Sequence, residues 1–273
     1  MQLLDGKTYS YELVSEYKKI VSDLDILLSI IQVGNNISSD IYIRNKIKYC
    51  ESVGVKVNLY HIDNGDEKSL KELINNLNND SKVTGIILQS PIPGIDFNKM
   101  VELIDSSKDV DGLTKNNIYN LYINNETIIP CTVKGIIKLL EHYKISLKGA
   151  NVCIIGRSNI VGKPLALALE NRDATVTLCH SKTKDLHLYT KNADIVISAV
   201  GIPKLITGDY VKNGVICVDV GINRINNSLC GDFDYESVKD KALFITPVPG
   251  GVGPMTVSMI VDNLIAMKKN SYI

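Results

Sequence analysis

NVCIIGRSNIVGKPLALALE, residues 151–170, reads as a buried strand, a turn opening on Gly156, and a helix with Gly162 near its start. Glycine at such a turn lets the backbone approach a pyrophosphate. The first helical turn adds unpaired N–H groups and the positive end of the helix dipole. The spacing is G-x-x-x-x-x-G and not G-x-G-x-x-G, so the stretch taken alone is also compatible with a tight strand-to-helix turn. The next strand, ATVTLCH (174–180), narrows the reading. In NAD-binding folds it ends on an acid that bonds the ribose 2′-hydroxyl; here it ends CHSKT (179–183), with no acid. A 2′-phosphate calls for a guanidinium and hydroxyl donors, which Arg157, Ser158 and Ser181 supply. NADP is favoured over NAD. Lys182 reads equally as a solvated loop charge. AVGIP (199–203) and DVGIN (219–223) put glycine beside small residues at two further strand ends, suiting close backbone contact with a nicotinamide. Each alone is also an ordinary turn.

Outward from that stretch, apolar clusters alternate with helical patterns along the whole chain, the signature of an α/β fold with a mainly parallel sheet. ADIVISAVG (193–201), GVICVDVG (214–221) and ALFITPVPGG (242–251) supply further strands of a second, Rossmann-type domain. In the first half DILLSIIQVG (25–34), VKVNLYHI (55–62) and TGIILQSPIPG (84–94) read as strands, with helices over about 39–53 and 67–78 between them. TKNNIYNLYINNETIIP (114–130) has no strong period and reads as the passage between domains. A last helix, about 255–269, is expected to start after Pro254 and carries Val257, Ile260, Val261, Leu264 and Ile265 as an apolar stripe. The stripe alone lets it join either domain.

Composition bounds the function. Of 273 residues 45% are hydrophobic and 22% charged, the balance of an ordinary globular protein. Lys plus Arg and Asp plus Glu are equal at 30 each, which points away from nucleic acid and membranes as partners while leaving room for a local basic pocket. Six cysteines stand singly without C-x-x-C or metal-ligand spacing; reduced thiols and no metal are expected. MQLLDGKTYS does not read as a signal peptide, and no apolar run approaches the roughly 18 residues of a membrane span. A soluble cytoplasmic protein is expected.

SSDIYIRNKIKYCE (38–51) is a helix in which Ser38 or Ser39 can cap and Asp40 suits the N-terminal end. Ile43, Ile47 and Cys50 form the expected buried stripe, and Tyr42, Lys46 and Tyr49 a parallel row beside it. Most helical lysines are surface charges, but this row lies next to the apolar stripe, immediately after a strand end.

TPVPGGVGPMT (246–256), GRSNIVGKP (156–164), KDVDG (108–112), PCT-x-KG (130–135) and the Y-x-x-x-K of Tyr42 and Lys46 occur in one order, from DGK (5–7) to the last helix. Together they resemble the bifunctional methylenetetrahydrofolate dehydrogenase/methenyltetrahydrofolate cyclohydrolase family over essentially the whole chain. The resemblance implies two α/β domains flanking a cleft. The first is a folate-binding catalytic domain, 1–128 joined by helix 256–273; the second is an NADP-binding domain, 129–255. It implies that NADP+ takes hydride from 5,10-methylenetetrahydrofolate and that water then opens the methenyl product to 10-formyltetrahydrofolate. It also implies a homodimer formed through the cofactor domains. Carried over by position, the catalytic set is Lys46, chiefly for the cyclohydrolase step, Tyr42, which packs on the folate and helps hold the lysine, Gln89, which tunes it, and Asp111, which anchors the pterin. Pro249, Gly250, Gly251, Gly253, Pro254 and Val257 line the folate site. Gly156, Arg157, Ser158, Ser181 and Ile222 bind NADP.

These residue types fit the implied chemistry. Hydride transfer from an aminal carbon needs orientation more than an acid or base, whereas hydration of the methenyl cation needs proton handling. A lysine at about 10.4 is a poor base near neutrality, so desolvation or neighbouring positive charge is expected to lower it. A carboxylate at 111 can accept two parallel N–H bonds from an amino-pyrimidine edge. Ser90, Ser106, Val133 and Tyr119 depart from the family pattern, and none replaces a residue assigned to chemistry. Three rival readings are a non-catalytic nucleotide or folate sensor, against which the intact Lys46, Gln89 and Asp111 set counts, a mono-functional dehydrogenase of the same family, and a short-chain dehydrogenase, which also uses Y-x-x-x-K. Chain order counts against the last, because its cofactor turn precedes the Tyr-Lys pair.

Overall fold

The computed structural model describes residues 1–226 and 228–270, without the side chains of Ile37 and Ser38. In chain order the elements are β1 (Gln2–Leu3), α1 (Gly6–Val21), β2 (Leu27–Val33), α2 (Ile37–Ser52), β3 (Lys56–Ile62), α3 (Glu67–Asn79), β4 (Gly85–Gln89), α4 (Phe97–Val101), α5 (Lys115–Tyr122), α6 (Cys131–His142), β5 (Asn151–Ile155), α7 (Gly162–Glu170), β6 (Thr175–Cys179), α8 (His187–Thr190), β7 (Ile195–Ser198), β8 (Val215–Asp219), β9 (Asn223–Ile225), β10 (Ser228–Cys230), α9 (Tyr235–Val238), β11 (Ala242–Ile245) and α10 (Val252–Asn270). They fall into two units, Tyr11–Cys131 with the chain from Val257 onward, and Met1–Ser10 with Thr132–Thr256. No helix among the described residues is long and apolar enough to cross a membrane.

In the first unit β3, β2 and β4 form a parallel sheet with β2 in the middle. Every residue of β2 after Leu27 is buried, as a parallel strand covered on both faces must be. Leu70, Ile74 and Leu77 of α3 pack on Ile31, Val33, Ile86 and Leu88. The α2 helix starts at Ile37, and its cap is Asn36, whose side chain accepts the Ser39 N–H at 3.1 Å. Ser39 is therefore not the cap; its hydroxyl donates to the Ser90 carbonyl at 3.3 Å, and the side chain of Ser38 lies outside the described residues. The 114–130 passage contains α5, which three asparagines hide from propensity reasoning. Tertiary bonds hold it: the Asn117 amide donates to Asp109 Oδ2 at 2.9 Å and to the Ser106 carbonyl at 3.0 Å. Ile260, Val261 and Leu264 of α10 are fully buried. Gly85 makes room for that helix, since a Cβ there would lie 2.7 Å from Leu264 Cδ2.

The second unit is a six-stranded parallel sheet ordered β1-β11-β8-β7-β5-β6. Its first long strand, β5, sits inside, with β6 on one side and β7, β8 and β11 on the other. The winding direction thus reverses between β5 and β7, the switch point where open α/β sheets bind ligands. Three features differ from expectation. Residues 1–10 group with this unit because Gln2 and Leu3 pair with Phe244 and Ile245 at the sheet edge. The helix α10 starts at Val252, before Pro254, which the first helical turn tolerates because its N–H would have no partner there. The last three residues of the expected helix 256–273 lie outside the described residues. An antiparallel hairpin, β9 with β10, was not anticipated.

Candidate active site

Gln89 ends β4 in register with Gln32 of β2, the strand that leads into α2. This brings Gln89 Oε1 within 3.0 Å of Lys46 Nζ. The glutamine amide is oriented by its own Nε2, which donates to the Ser90 carbonyl at 2.8 Å. The contribution of Ser90 here is main-chain, so its departure from the family pattern leaves this bond intact. Lys46 is only 9% exposed and lies between buried Ile43 and Cys50, while Ile47 is half-buried. The buried stripe therefore runs 43-46-50 and not 43-47-50, and the lysine occupies an inward position. Burial pushes the neighbouring Cys50 thiol up to about 12, so it stays neutral. Tyr42, one turn earlier, is 38% exposed, and its hydroxyl makes no hydrogen bond among the described residues. Burial raises its phenol from the ordinary value.

The KDVDG segment divides its charged residues between different tasks. Ile86 N–H donates to the Lys108 carbonyl at 2.7 Å and Val110 N–H to the Ile86 carbonyl at 3.3 Å, laying the segment beside β4. The Lys108 ammonium donates to the carbonyls of Leu77 (3.0 Å), Asn78 (2.7 Å) and Asp80 (2.8 Å). These end α3, where unpaired carbonyls and the negative dipole end favour a cation. Asp109 is buried and accepts the Thr114 N–H at 2.7 Å as well as the Asn117 amide, and burial raises its carboxyl. Gly112 turns the chain at φ +66, where a Cβ would lie 2.9 Å from the Ile129 carbonyl carbon. Asp111 is half-buried and has no hydrogen bond or ion pair among the described residues, so its carboxylate is available to a ligand.

In the second unit Gly156 follows β5 at φ +115, and a Cβ there would meet the Ala199 carbonyl oxygen at 2.5 Å. A Cβ on Gly162 would come 1.9 Å from the Gly156 oxygen. Both positions exclude any side chain, so the turn folds flat over the start of α7. The Ser158 hydroxyl accepts the N–H groups of Val161 (3.1 Å) and Gly162 (3.4 Å), and its hydrogen is left to donate. Ile155 pairs with Cys179 at the ends of β5 and β6, and Arg157 and Ser181, each two residues further on, are exposed. These residues stand at the carboxyl ends of β5 and β6, where open α/β sheets bind ligands.

The turn after β11 is built on Gly250, at φ +115, whose carbonyl accepts the Lys7 N–H at 2.8 Å, and on Gly251, where a Cβ would lie 2.7 Å from Thr246 Cβ. Cis Pro249 opens the turn; Gly253 and Pro254 stand in the first turn of α10, and Val257 belongs to the other unit. Ile222, 46% exposed, follows β8. Sequence reasoning passed over Lys108 and Asp109, whose partners are distant or main-chain, and over the buried carboxylate of Asp232, flagged only by a Gly-Asp pair in a loop.

Residues 4–111 match the family model described as the catalytic domain of tetrahydrofolate dehydrogenase/cyclohydrolase, and residues 130–272 match its NAD(P)-binding domain. The chain is 47% identical to the bifunctional protein FolD of Agathobacter rectalis over 98% of this chain and 99% of that protein. Among solved structures it resembles the bifunctional enzyme FolD of Campylobacter jejuni, with 45% identity, TM-score 0.97 and 99% of each chain covered. It also resembles the Trypanosoma brucei methylenetetrahydrofolate dehydrogenase-cyclohydrolase complexed with NADP cofactor and inhibitor, with 33% identity, TM-score 0.94 and coverage of 98% and 97%. With both halves matched in order and the relatives aligned almost end to end, the chain belongs to the tetrahydrofolate dehydrogenase/cyclohydrolase family.

Proposed function

We infer that this chain is a bifunctional enzyme: it oxidises 5,10-methylenetetrahydrofolate to the methenyl compound with NADP+, and it hydrolyses that product to 10-formyltetrahydrofolate. The observation that carries the reading is the inward Lys46, held 3.0 Å from Gln89, in a chain whose two halves match the two domains of the family. A dehydrogenase alone needs no buried lysine at that place, which favours both activities over the first only.

The residues fit NADP. Gly156 and Gly162 leave a cradle that a Cβ would fill, and α7 presents its N-terminus there. Arg157, Ser158 and Ser181 stand where a 2′-phosphate needs donors, with no acid among them. Bound NADP+ supplies the hydride acceptor. Ile222 is placed to cover its nicotinamide end. In the folate site, Asp111 accepts the amino-pyrimidine edge of the pterin, Tyr42 stacks on the ring system, and Pro249, Gly250, Gly251, Gly253, Pro254 and Val257 line the pocket. Hydride loss leaves a cationic methenyl carbon. Water oxygen bonds to that carbon and gives up a proton. The C–N5 bond then breaks as the carbonyl forms, N5 takes a proton, and one proton is released overall. Lys46 carries these transfers, with Gln89 orienting its ammonium.

In this reading the folate domain is 1–128 joined by helix 256–273, and 129–255 is the cofactor domain, with the short β1 crossing to the cofactor sheet. A homodimer through the cofactor domains and a cytoplasmic location complete the proposal; six cysteines without a disulfide support the latter. The test is NADP+ reduction with methylenetetrahydrofolate, followed by hydrolysis of methenyltetrahydrofolate. Turnover in neither assay refutes the function, and turnover in the first alone leaves the mono-functional dehydrogenase.

A further inference from the structure

The carboxyl ends of β7 and β8 carry two turns, at 199–203 and 220–222; the fully buried carboxylate of Asp232 bonds the first directly and reaches the second through the side chain of Asn223, the residue that follows it. Asp232 Oδ2 accepts the N–H groups of Val200 (2.8 Å) and Gly201 (3.2 Å) and the Ser198 hydroxyl (3.0 Å). Its Oδ1 accepts the Ile202 N–H (3.0 Å) and the Asn223 side-chain amide (2.9 Å). Asp232 is itself held by Asp219, the last residue of β8. Asp219 Oδ1 accepts the N–H of Asp232 at 2.9 Å and of Gly221 at 3.0 Å, and Oδ2 that of Phe233 at 2.9 Å.

The two aspartates are packed into each other's glycines. A Cβ on Gly221 would lie 2.1 Å from Asp232 Oδ1, and one on Gly231 would lie 1.9 Å from Asp219 Oδ2. D-x-G at 219–221 and G-D at 231–232 therefore form a reciprocal clasp. Burial, with the neighbouring Asp232 charge adding to it, pushes the Asp219 carboxyl up to about 6. Two adjacent buried carboxylates are a costly way to close a turn, and backbone bonds alone close most turns. The expense points to a geometric duty.

That duty follows from the strand order. The residues proposed for the phosphates stand at the ends of β5 and β6, so the rest of an extended dinucleotide must run across the switch point toward β7 and β8. The clasped turns stand there, carrying the exposed apolar Ile202 and Ile222. We propose that Asp232 is the positioning residue for the nicotinamide end of the cofactor, fixing the turns after β7 and β8 relative to each other through Val200, Gly201, Ile202 and Asn223. This rests on the reading of the chain as an NADP-dependent dehydrogenase.

Asp232→Asn tests it. Both carboxylate oxygens accept backbone N–H groups, so the amide in either orientation turns an NH2 against a donor and releases part of a turn. The dehydrogenase kcat is expected to fall about ten- to a hundredfold, the scale of a misplacement of about 1 Å. The substrate deuterium isotope effect should rise as hydride transfer becomes limiting. Hydrolysis of methenyltetrahydrofolate needs no NADP+ and should stay within about twofold of the parent, whereas a merely structural residue would lower both activities together. Asn223→Ala, which removes a single tie, should act in the same direction but less, and it carries the test if the first variant does not fold. An unchanged dehydrogenase, or equal loss of both activities, overturns the proposal. If the parent enzyme itself lacks dehydrogenase activity, the function fails first and this role falls with it.

Discussion

Replacing Lys46 by Met separates the two reactions and leaves the fold nearly untouched. The lysine stem fills a buried position between Ile43 and Cys50, and only its ammonium is polar there. Methionine is unbranched and of similar length, so it keeps that packing. What disappears is one hydrogen bond to Gln89 Oε1. The glutamine is half-buried and still anchored through Nε2 to the Ser90 carbonyl, so water can replace the lost donor and the net cost is expected below about 1 kcal/mol. Catalytically the change is much larger. A positioned proton carrier contributes about 10²- to 10⁴-fold, which corresponds to about 2.7–5.4 kcal/mol of barrier at 1.36 kcal/mol per decade. Methenyltetrahydrofolate hydrolysis should fall by that factor, followed as loss of the methenyl absorbance. NADPH formation from methylenetetrahydrofolate should fall less than about tenfold, because hydride transfer depends on orientation. Equal loss of both activities would refute the role given to Lys46, as would a cyclohydrolase retained within a few-fold.

Three further outcomes are expected. Gly162→Ala places a Cβ 1.9 Å from the Gly156 oxygen, so the turn must shift by over an ångström; the KM for NADP+ should rise about tenfold or more while the cyclohydrolase, assayed without NADP+, is unchanged. Arg157→Ala should raise the KM for NADP+ far more than that for NAD+, since only the former presents a 2′-phosphate to a guanidinium; parallel increases in steady-state kinetics would remove that assignment. Asn263→Ala deletes a fully buried amide that donates to the carbonyls of Val110 and Ile129, each at 2.9 Å. The Val110 carbonyl keeps the Cys131 thiol as a weak donor at 3.3 Å, so a loss of about 1–3 kcal/mol is expected, chiefly from the Ile129 carbonyl, read as a lower melting temperature with kcat per folded enzyme retained.

Fold legibility follows the physics of each element. Parallel strands buried on both faces read as continuous apolar runs, so the inner strands β2, β5, β7 and β8 stand out in the sequence, as does β4, whose residues before Gln89 are all buried. The two-residue β1 and the three-residue β9 and β10 are too short to carry a period. The burial of Lys46 is hidden for another reason. A 3.6-residue period places Ile47 and Lys46 on neighbouring lines of α2, and the pattern gives the apolar residue the inner line. Only the partner at the end of β4, 43 residues away, pulls the lysine inward.

KDVDG shows why recognising a motif does not apportion its work. Lys, Asp and Asp lie within four positions and are equally plausible ligand groups by type. The ammonium of Lys108 is consumed by carbonyls 28–31 residues earlier, and the carboxylate of Asp109 by groups 5 and 8 residues later. A charge bonded to the fold and buried or half-buried in it has little left for a substrate, so these two residues are scaffolding. They pin the segment at α3 and α5 and leave Asp111 on a backbone that cannot slide. The same accounting distinguishes Asp232, whose oxygens are fully engaged, from Arg157, which has no ion-pair partner among the described residues. The first holds a turn in place and the second is available to bind. Partner geometry, and not residue type, separates the groups that position from those that react or recognise.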